Sequence, residues 1–285
     1  MDQAARADDF GMLLRRWRGH RGKSQLALSL DADVSARHLS WLESGKASPS
    51  RAMVLRLAQQ LDLPLRARNA MLAAAGFAPL YTERPLTDPA AAPVRAALQR
   101  LLDAHEPSPA LAVDRHWQLV AHNRLVPALL ALVAPALAKP PVNVLRLALH
   151  PQGLAPMIRN LAPWRSYVLQ RLARQAAATG DPALAALHAE LQALPAPAGR
   201  PPWPADDAGA ESDEGTIPAG EPLHDMAVPL ALDTPHGPLN FISALTVFGA
   251  PRDVTLAELA VETLLPADEA TASALRAIHA ALPPR

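Results

Sequence analysis

From Phe10 to Gly76 the apolar residues recur every three or four positions and fall into five short runs. This is the spacing of one buried helical face. Phe10, Leu13, Leu14 and Trp17 predict a helix over 9–20, with Asp8 and Asp9 placed to complement the positive end of its dipole. Leu26, Ala27 and Leu30 share a face of a second helix over 25–30, which Asp31-Ala32-Asp33 interrupts. Ser35 is a good N-cap for a third helix, on which Leu39 and Leu42 face inward while Ala36, Arg37, Ser40 and Trp41 project the other way. Gly45 stands where a left-handed residue closes a helix. Pro49-Ser50 opens a fourth helix over 51–61, with Met53, Val54, Leu57, Ala58 and Leu61 inward, and a fifth runs over 65–75 to Gly76. Five short helices in this length predict a compact all-α domain over 1–80.

The pattern changes after a Pro- and Ala-rich connector at 81–93. A helix is predicted over 94–104, with Val94, Ala97, Leu98, Leu101 and Leu102 as its inner stripe. Two strand-like pieces, 111–113 and 118–121, flank Asp114-Arg115-His116-Trp117 and predict a hairpin. Helix is expected over 124–137, a short apolar segment over 143–150, and mostly helix over 154–194 with breaks at Ala162-Pro163 and Gly180-Asp181-Pro182. The stretch 195–222 is rich in Pro, Ala and Gly and carries Asp206, Asp207, Glu211, Asp213 and Glu214, the composition of an exposed loop. Strands over 225–232, 239–248 and 258–265 and a last helix over 268–282 complete the expectation. The C-terminal region, 94–285, therefore reads as an α+β domain with one antiparallel sheet.

Composition sharpens this picture by exclusion. The absence of cysteine removes disulfides, thiolate catalysis and cysteine-ligated metals. No apolar run approaches the roughly 20 residues that span a bilayer, and the first ten residues lack the pattern of a signal peptide, so a cytoplasmic protein without a membrane partner is expected. The zero net charge conceals an asymmetry. Residues 1–80 hold 12 Lys and Arg against 7 Asp and Glu, and the rest hold 15 against 20. A basic N-terminal module joined to an acidic remainder suits a chain whose first part approaches a polyanion.

Ser24 to Lys46 carries the sharpest motif, two short helices joined by a tight turn, which can present the second helix to a major groove. The Ser24-Gln25-Leu26-Ala27 start, Val34-Ser35, the Leu42-Glu43-Ser44-Gly45-Lys46 exit and Leu57-Ala58 together resemble the lambda-repressor-like (XRE-type) helix-turn-helix family over roughly Phe10 to Gly76. The resemblance implies that Gln25 meets a phosphate or the first base, and that Ala36, Arg37 and Trp41 stand where the family reads bases. Ser35, His38, Ser40 and Lys46 complete the expected DNA-binding set. It also implies that Glu43 pairs with an arginine of the first helix, here Arg18. Ala36 cannot hydrogen-bond a base and Trp41 replaces a polar reader, so base recognition is expected to rest on Arg37, van der Waals contact and DNA shape. Trp41 has an alternative role, packing against the neighbouring helix.

A second resemblance covers nearly the whole chain. The order of the helix-turn-helix, the hairpin from Asp114 to Arg124, the segment Asn143-Val144-Leu145-Arg146-Leu147-Ala148-Leu149-His150-Pro151 and the turn Phe248-Gly249-Ala250-Pro251 is similar to the MmyB-like transcription regulators. That resemblance implies a PAS-like C-terminal domain that binds a small apolar ligand, with fatty acids as the class. His122, Asn123, Arg146, His150 and Arg165 lie at the edges of apolar segments and are the candidates for a carboxylate head. Helix capping by Asn123 and a turn at His150 are the alternatives for these two. The resulting expectation is a DNA-binding regulator that recognises double-stranded DNA as a homodimer, with a fatty acid as effector and no resident cofactor or metal. A C-terminal domain serving only dimerisation, and a C-terminal enzyme, are the alternatives. No H-E-x-x-H, G-x-S-x-G, P-loop or G-x-G-x-x-G pattern supports the enzyme.

Overall fold

The computed structural model describes residues 9–199, 228–249 and 251–283. The Pro-rich acidic stretch expected as a loop lies almost wholly outside these residues, as does the start of the strand expected from Asp225. The chain forms two units, divided at Arg84, with Ala177–Gly180 and a short helix near residue 255 assigned to the first. The expected connector 81–93 is thereby shared between them.

Unit 1 contains α1 (Phe10–His20), α2 (Gln25–Asp31), α3 (Ala36–Glu43), α4 (Arg51–Gln60) and α5 (Leu65–Ala74). The three central starts are capped by serine. Ser24, Ser35 and Ser50 accept from the amides of Ala27, His38 and Met53 at 3.0, 3.1 and 3.2 Å. Each such cap satisfies a donor that the helix itself cannot, and is worth about 1 kcal/mol. Phe10, Leu14, Leu28, Leu39, Leu42, Leu57 and Leu72 form the core. Two glycines are dictated by geometry. A Cβ at Gly11 would lie 2.7 Å from the carbonyl oxygens of both Leu42 and Glu43, so α1 passes with its backbone against the end of α3. Gly45 turns the chain out of α3 at φ +70°, a conformation that a side chain disfavours.

The face of α2 differs from the expected one. Leu28 and Ser29 are buried, whereas Leu26 and Leu30 are 61% and 73% exposed. Apolar residues at 26, 28 and 30 surround a seven-residue helix, so spacing alone does not choose the stripe that meets its neighbours.

Unit 2 follows the order α6 (Ala92–Asp103), β1 (Ala110–Val113), β2 (Leu119–His122), α7 (Val126–Leu130), α8 (Val144–Leu149), α9 (Leu161–Thr179), α10 (Pro182–Gln192), β3 (Leu230–Thr234) and β4 (Gly237–Val247). Between β4 and β5 (Ala260–Pro266) the chain forms α11 (Val254–Ala257), which belongs to unit 1, and α12 (Glu269–Ala281) is the last described element. The strands form one antiparallel sheet in the order β2-β1-β5-β4-β3. Leu111, Val113, Leu232, Leu239, Phe241 and Leu264 of this sheet share a core with Leu145, Leu149, Trp164, Val168, Leu172 and Leu187 of the helices. The five-helix N-terminal domain and the α+β C-terminal domain with a single antiparallel sheet are the expected architecture.

Several elements depart from the sequence reading. The helix expected over 124–137 shrinks to the five residues of α7. Pro135 has no amide to donate to the Ala131 carbonyl and disfavours helical backbone at Ala134. The expected break at Ala162-Pro163 is absent, because Pro163 sits in the first turn of α9, where the missing amide has no helical partner. The apolar segment over 143–150 is a helix, α8, capped by the Asn143 side chain through the Arg146 amide at 3.0 Å. On α6 the buried stripe is Leu98 and Leu102, and Leu101 is 37% exposed. In the hairpin, Asp114 accepts from the amides of His116 and Gln118, while Trp117 takes φ 64° to turn its buried ring inward.

Glu106, between α6 and β1, ties three parts of unit 2 together. Arg124 donates through Nη2 at 2.9 Å and His279 of α12 lies 2.8 Å from the same carboxylate oxygen. Burial pushes the Glu106 carboxyl up, but the hydrogen bonds and charge of Arg124 and the contact with His279 outweigh this and hold it at about 2. A depressed folded-state pKa contributes stability above the unfolded value and loses it as the group protonates. Stability of the chain against denaturant should therefore fall as pH drops from about 4.5 towards 2, and Glu106→Gln should remove part of that dependence.

Candidate nucleic-acid interface

The outward surface of α3 is built from residues that the fold leaves exposed. Leu39 and Leu42 are completely buried beneath it, which turns Ala36, Arg37 and Trp41 to solvent and leaves His38 and Ser40 half-buried. Ser35 serves as the N-cap and Lys46 is exposed just beyond the helix. The Arg37 guanidinium carbon lies 4.6 Å from the centroid of the Trp41 ring.

The helix is held from below by one carboxylate. Glu43 has no exposed side-chain surface and accepts from Arg18 Nε at 2.5 Å and Arg18 Nη2 at 3.0 Å. Gln25 donates its amide to Glu43 Oε2 at 2.7 Å, and Arg15 Nε lies 3.6 Å away. Arg18 also reaches the Lys23 carbonyl at 2.8 Å. Burial raises the Glu43 carboxyl, yet the bonds from Arg18 and Gln25 and the charges of Arg18 and Arg15 lower it overall. The same bond raises Arg18 against its own desolvation. Gln25, expected as a DNA contact, thus has one N–H of its amide committed to Glu43, leaving the second N–H and the carbonyl oxygen for other partners.

Of the residues proposed for a ligand head, Arg146 and His150 are brought to one carboxylate, Glu190, and His122 and Asn123 are neighbours at the end of β2. Asn123 is fully buried and structural: it donates to the carbonyls of Ser108 and Leu102 and accepts from the amides of Ala110 and Leu125. Arg146 forms a bidentate pair with Glu190, which raises the arginine and lowers the carboxyl. His150 accepts from the Gln152 amide, and the buried Arg165 donates to the Gln192 carbonyl at 2.8 Å. His122 lines a groove of about 640 Å³ with Arg95, Leu98, Gln99 and Val120, between α6 and the edge strand β2. An apolar cavity of about 20 Å³ lies elsewhere, among Leu125, Leu129 and Leu132, Leu239 and Phe241, and Leu275 and Ile278. That is room for about one water molecule.

A buried polar cluster in unit 2 escaped the sequence reading. Glu262 of β5 accepts from Ser243 at 2.5 Å and lies 3.8 Å from Arg171 Nη2. The Arg171 guanidinium stands 4.3 Å from the Trp117 ring centroid, and its buried Nε has no hydrogen-bond partner among the described residues. The signal was present: Arg171 falls on the inner stripe of α9 with Trp164 and Val168, and Glu262 interrupts an apolar strand. Among the described residues no group of three or more His, Asp or Glu side chains is placed to hold a metal ion, and no helix is long and apolar enough to cross a membrane.

A basic helical unit with an exposed helix-turn-helix is followed in this chain by an α+β domain with one antiparallel sheet. Residues 94–278 match the MmyB-like transcription regulator ligand binding domain, and residues 9–71 match a helix-turn-helix domain. The chain belongs to the MmyB-like transcription regulator family. A search of curated proteins finds no match. One similar solved structure is described as an RNA-binding light-oxygen-voltage receptor; it is 11% identical, at a TM-score of 0.27, over 95% of this chain. The chain spans 63% of that receptor's length.

Removing Glu43 strands the Arg18 charge and the Gln25 amide in a mostly buried setting. Glu43→Ala should destabilise unit 1 by about 3 kcal/mol, the cost of leaving one partner of a buried pair uncompensated. Urea unfolding of the full chain followed by tryptophan fluorescence measures it.

Proposed function

We propose that this chain is a sequence-specific DNA-binding transcription regulator whose C-terminal domain senses a small apolar ligand, with a fatty acid as the ligand class. The observation that carries the first half is the surface of α3. Arg37 and Trp41 stand outward on a helix whose other face is fully buried and whose end is fixed by Glu43. Arg37 is the base reader, since a guanidinium can donate two parallel bonds to guanine O6 and N7. Ser35, Ala36, His38, Ser40 and Lys46 supply phosphate and van der Waals contacts, and Gln25 donates the second N–H of its amide to a phosphate oxygen.

The match to a ligand-binding domain and the aliphatic core of unit 2 support the sensing half. Fatty-acid pockets must be far larger than the 20 Å³ cavity, since small-molecule sites run to roughly 300–1,000 Å³. On this reading the ligand enters by parting α7 and α12 from the sheet, with its carboxylate held by one of the basic or amide groups of unit 2. The protein acts as a homodimer in the cytoplasm, because one recognition helix per chain reads too few base pairs for useful specificity. It catalyses no reaction. The 20 Å³ cavity by itself favours a second reading, in which the C-terminal domain serves dimerisation alone, whereas the groove of about 640 Å³ beside His122 is of small-molecule size and favours the first.

Arg37→Ala should weaken binding to the cognate duplex by about 10- to 100-fold in a gel shift at physiological salt, and relax the preference at one base pair. Unchanged binding would remove α3 as the reader. For the ligand, native mass spectrometry and organic extraction of freshly purified protein should reveal a bound lipid. No lipid, together with no rise in melting temperature on adding C14–C18 fatty acids, would leave the dimerisation reading.

A further inference from the structure

We propose that Trp41 is a positioning residue for Arg37: its indole holds the guanidinium over one face of α3 so that the N–H edge is preset for a base. The inference rests on the reading of α3 as the recognition helix and assigns Trp41 a role through Arg37 instead of a base contact of its own.

The two residues are four apart on α3, the spacing at which side chains on one helical face meet. The guanidinium carbon lies 4.6 Å from the indole centroid, within the range of a cation–π contact. Trp41 is 39% exposed, so its ring stands at the surface with part of it covered, where the Arg37 guanidinium can lie against it. Its backbone carbonyl is fixed, accepting from the amides of Lys46 and Ala47 and from the Ser44 hydroxyl.

Arg37 has no hydrogen bond or ion pair to any described residue, in contrast to its neighbours in unit 1. Arg18 is committed to Glu43, Arg21 to the carbonyls of Leu61 and Asp62, Arg56 to the carbonyl of Ala32 and Arg68 to that of Leu63. A ring restrains a guanidinium through its face, whereas hydrogen bonds use its edge. Arg37 is therefore restrained with its five donors unspent. An arginine free in solution loses rotamer freedom when it docks, and a stacked one has lost much of it beforehand. Arg37 gains affinity for the right base in this way, and since the benefit depends on the edge being used, it falls on specific binding.

The test is a double-mutant cycle on the full chain. The probes are a duplex that the wild-type protein selects from a randomised 20-base-pair library, and a scrambled duplex of equal length. Trp41→Leu should weaken binding to the selected duplex about 2- to 5-fold, the size of an exposed cation–π contact, and leave the scrambled duplex within experimental error. Trp41→Phe should restore most of the loss, because a ring is retained. In an Arg37→Ala background, Trp41→Leu should have no further effect. Circular dichroism and melting temperature of each variant establish that α3 is intact. If Arg37→Ala weakens selective binding but Trp41→Leu costs the same with and without Arg37, Trp41 acts by itself and the inference is overturned. If neither substitution alters selective binding, α3 is not the reader and the inference falls with that reading.

Discussion

A single buried carboxylate decides where the DNA-facing surface lies. Glu43 sits at the end of α3, out of contact with water, and a charge in that position is costly unless it is bonded on every side. Arg18 on α1 and Gln25 on α2 supply those bonds, so three helices have to converge on one group before its ionised form is tolerated. Gly11 lets α1 come close enough, with its backbone against the last carbonyls of α3. The buried leucines fix which face of α3 is inward. The carboxylate fixes how far along and at what angle the helix is held.

Much of unit 1 could be read from residue pattern because its local signals agree. Serine caps, Gly45 and the Leu39–Leu42 stripe each point to the same α3, and the exposed set on that helix follows from them. The face of α2 could not be read, since a short helix with apolar residues on more than one side is oriented by its neighbours, not by its own spacing. Gln25 illustrates the same limit at the site: its type suits a phosphate, and only the fold reveals that Glu43 already takes one N–H of its amide.

In unit 2 the strands are legible from their alternation and turns, and α9 and α10 from the apolar run broken at Gly180-Asp181-Pro182, while the length of α7 and the helical form of α8 are not. Pro127, Pro135 and Pro163 look alike in sequence but differ in position within a turn, and position determines whether a proline ends a helix or starts one. The ligand-head candidates were chosen for lying beside apolar segments, a criterion that also selects caps such as Asn123. Arg171 and Glu262 are brought together by a helix and a strand about ninety residues apart, which no local pattern encodes. The near-complete packing of the apolar cavity carries an energetic implication: any lipid that binds there has to open the core, and its apparent affinity is reduced by the rarity of the open form.

Unit 1 is not continuous in the chain. It includes α11, whose Val254 amide bonds the Thr82 carbonyl at 2.7 Å while the Thr82 hydroxyl donates to Asp253 at 2.9 Å, and α11 packs with α5. These partners are 171 residues apart. At ribosomal rates of about 5–20 residues per second, roughly 10–30 s separate the synthesis of Thr82 from that of Asp253. Every buried residue of the apolar cluster of α1 to α5 has been synthesised by then, so that core is complete in sequence before the last piece of the unit, which arrives only after most of the ligand domain has been made.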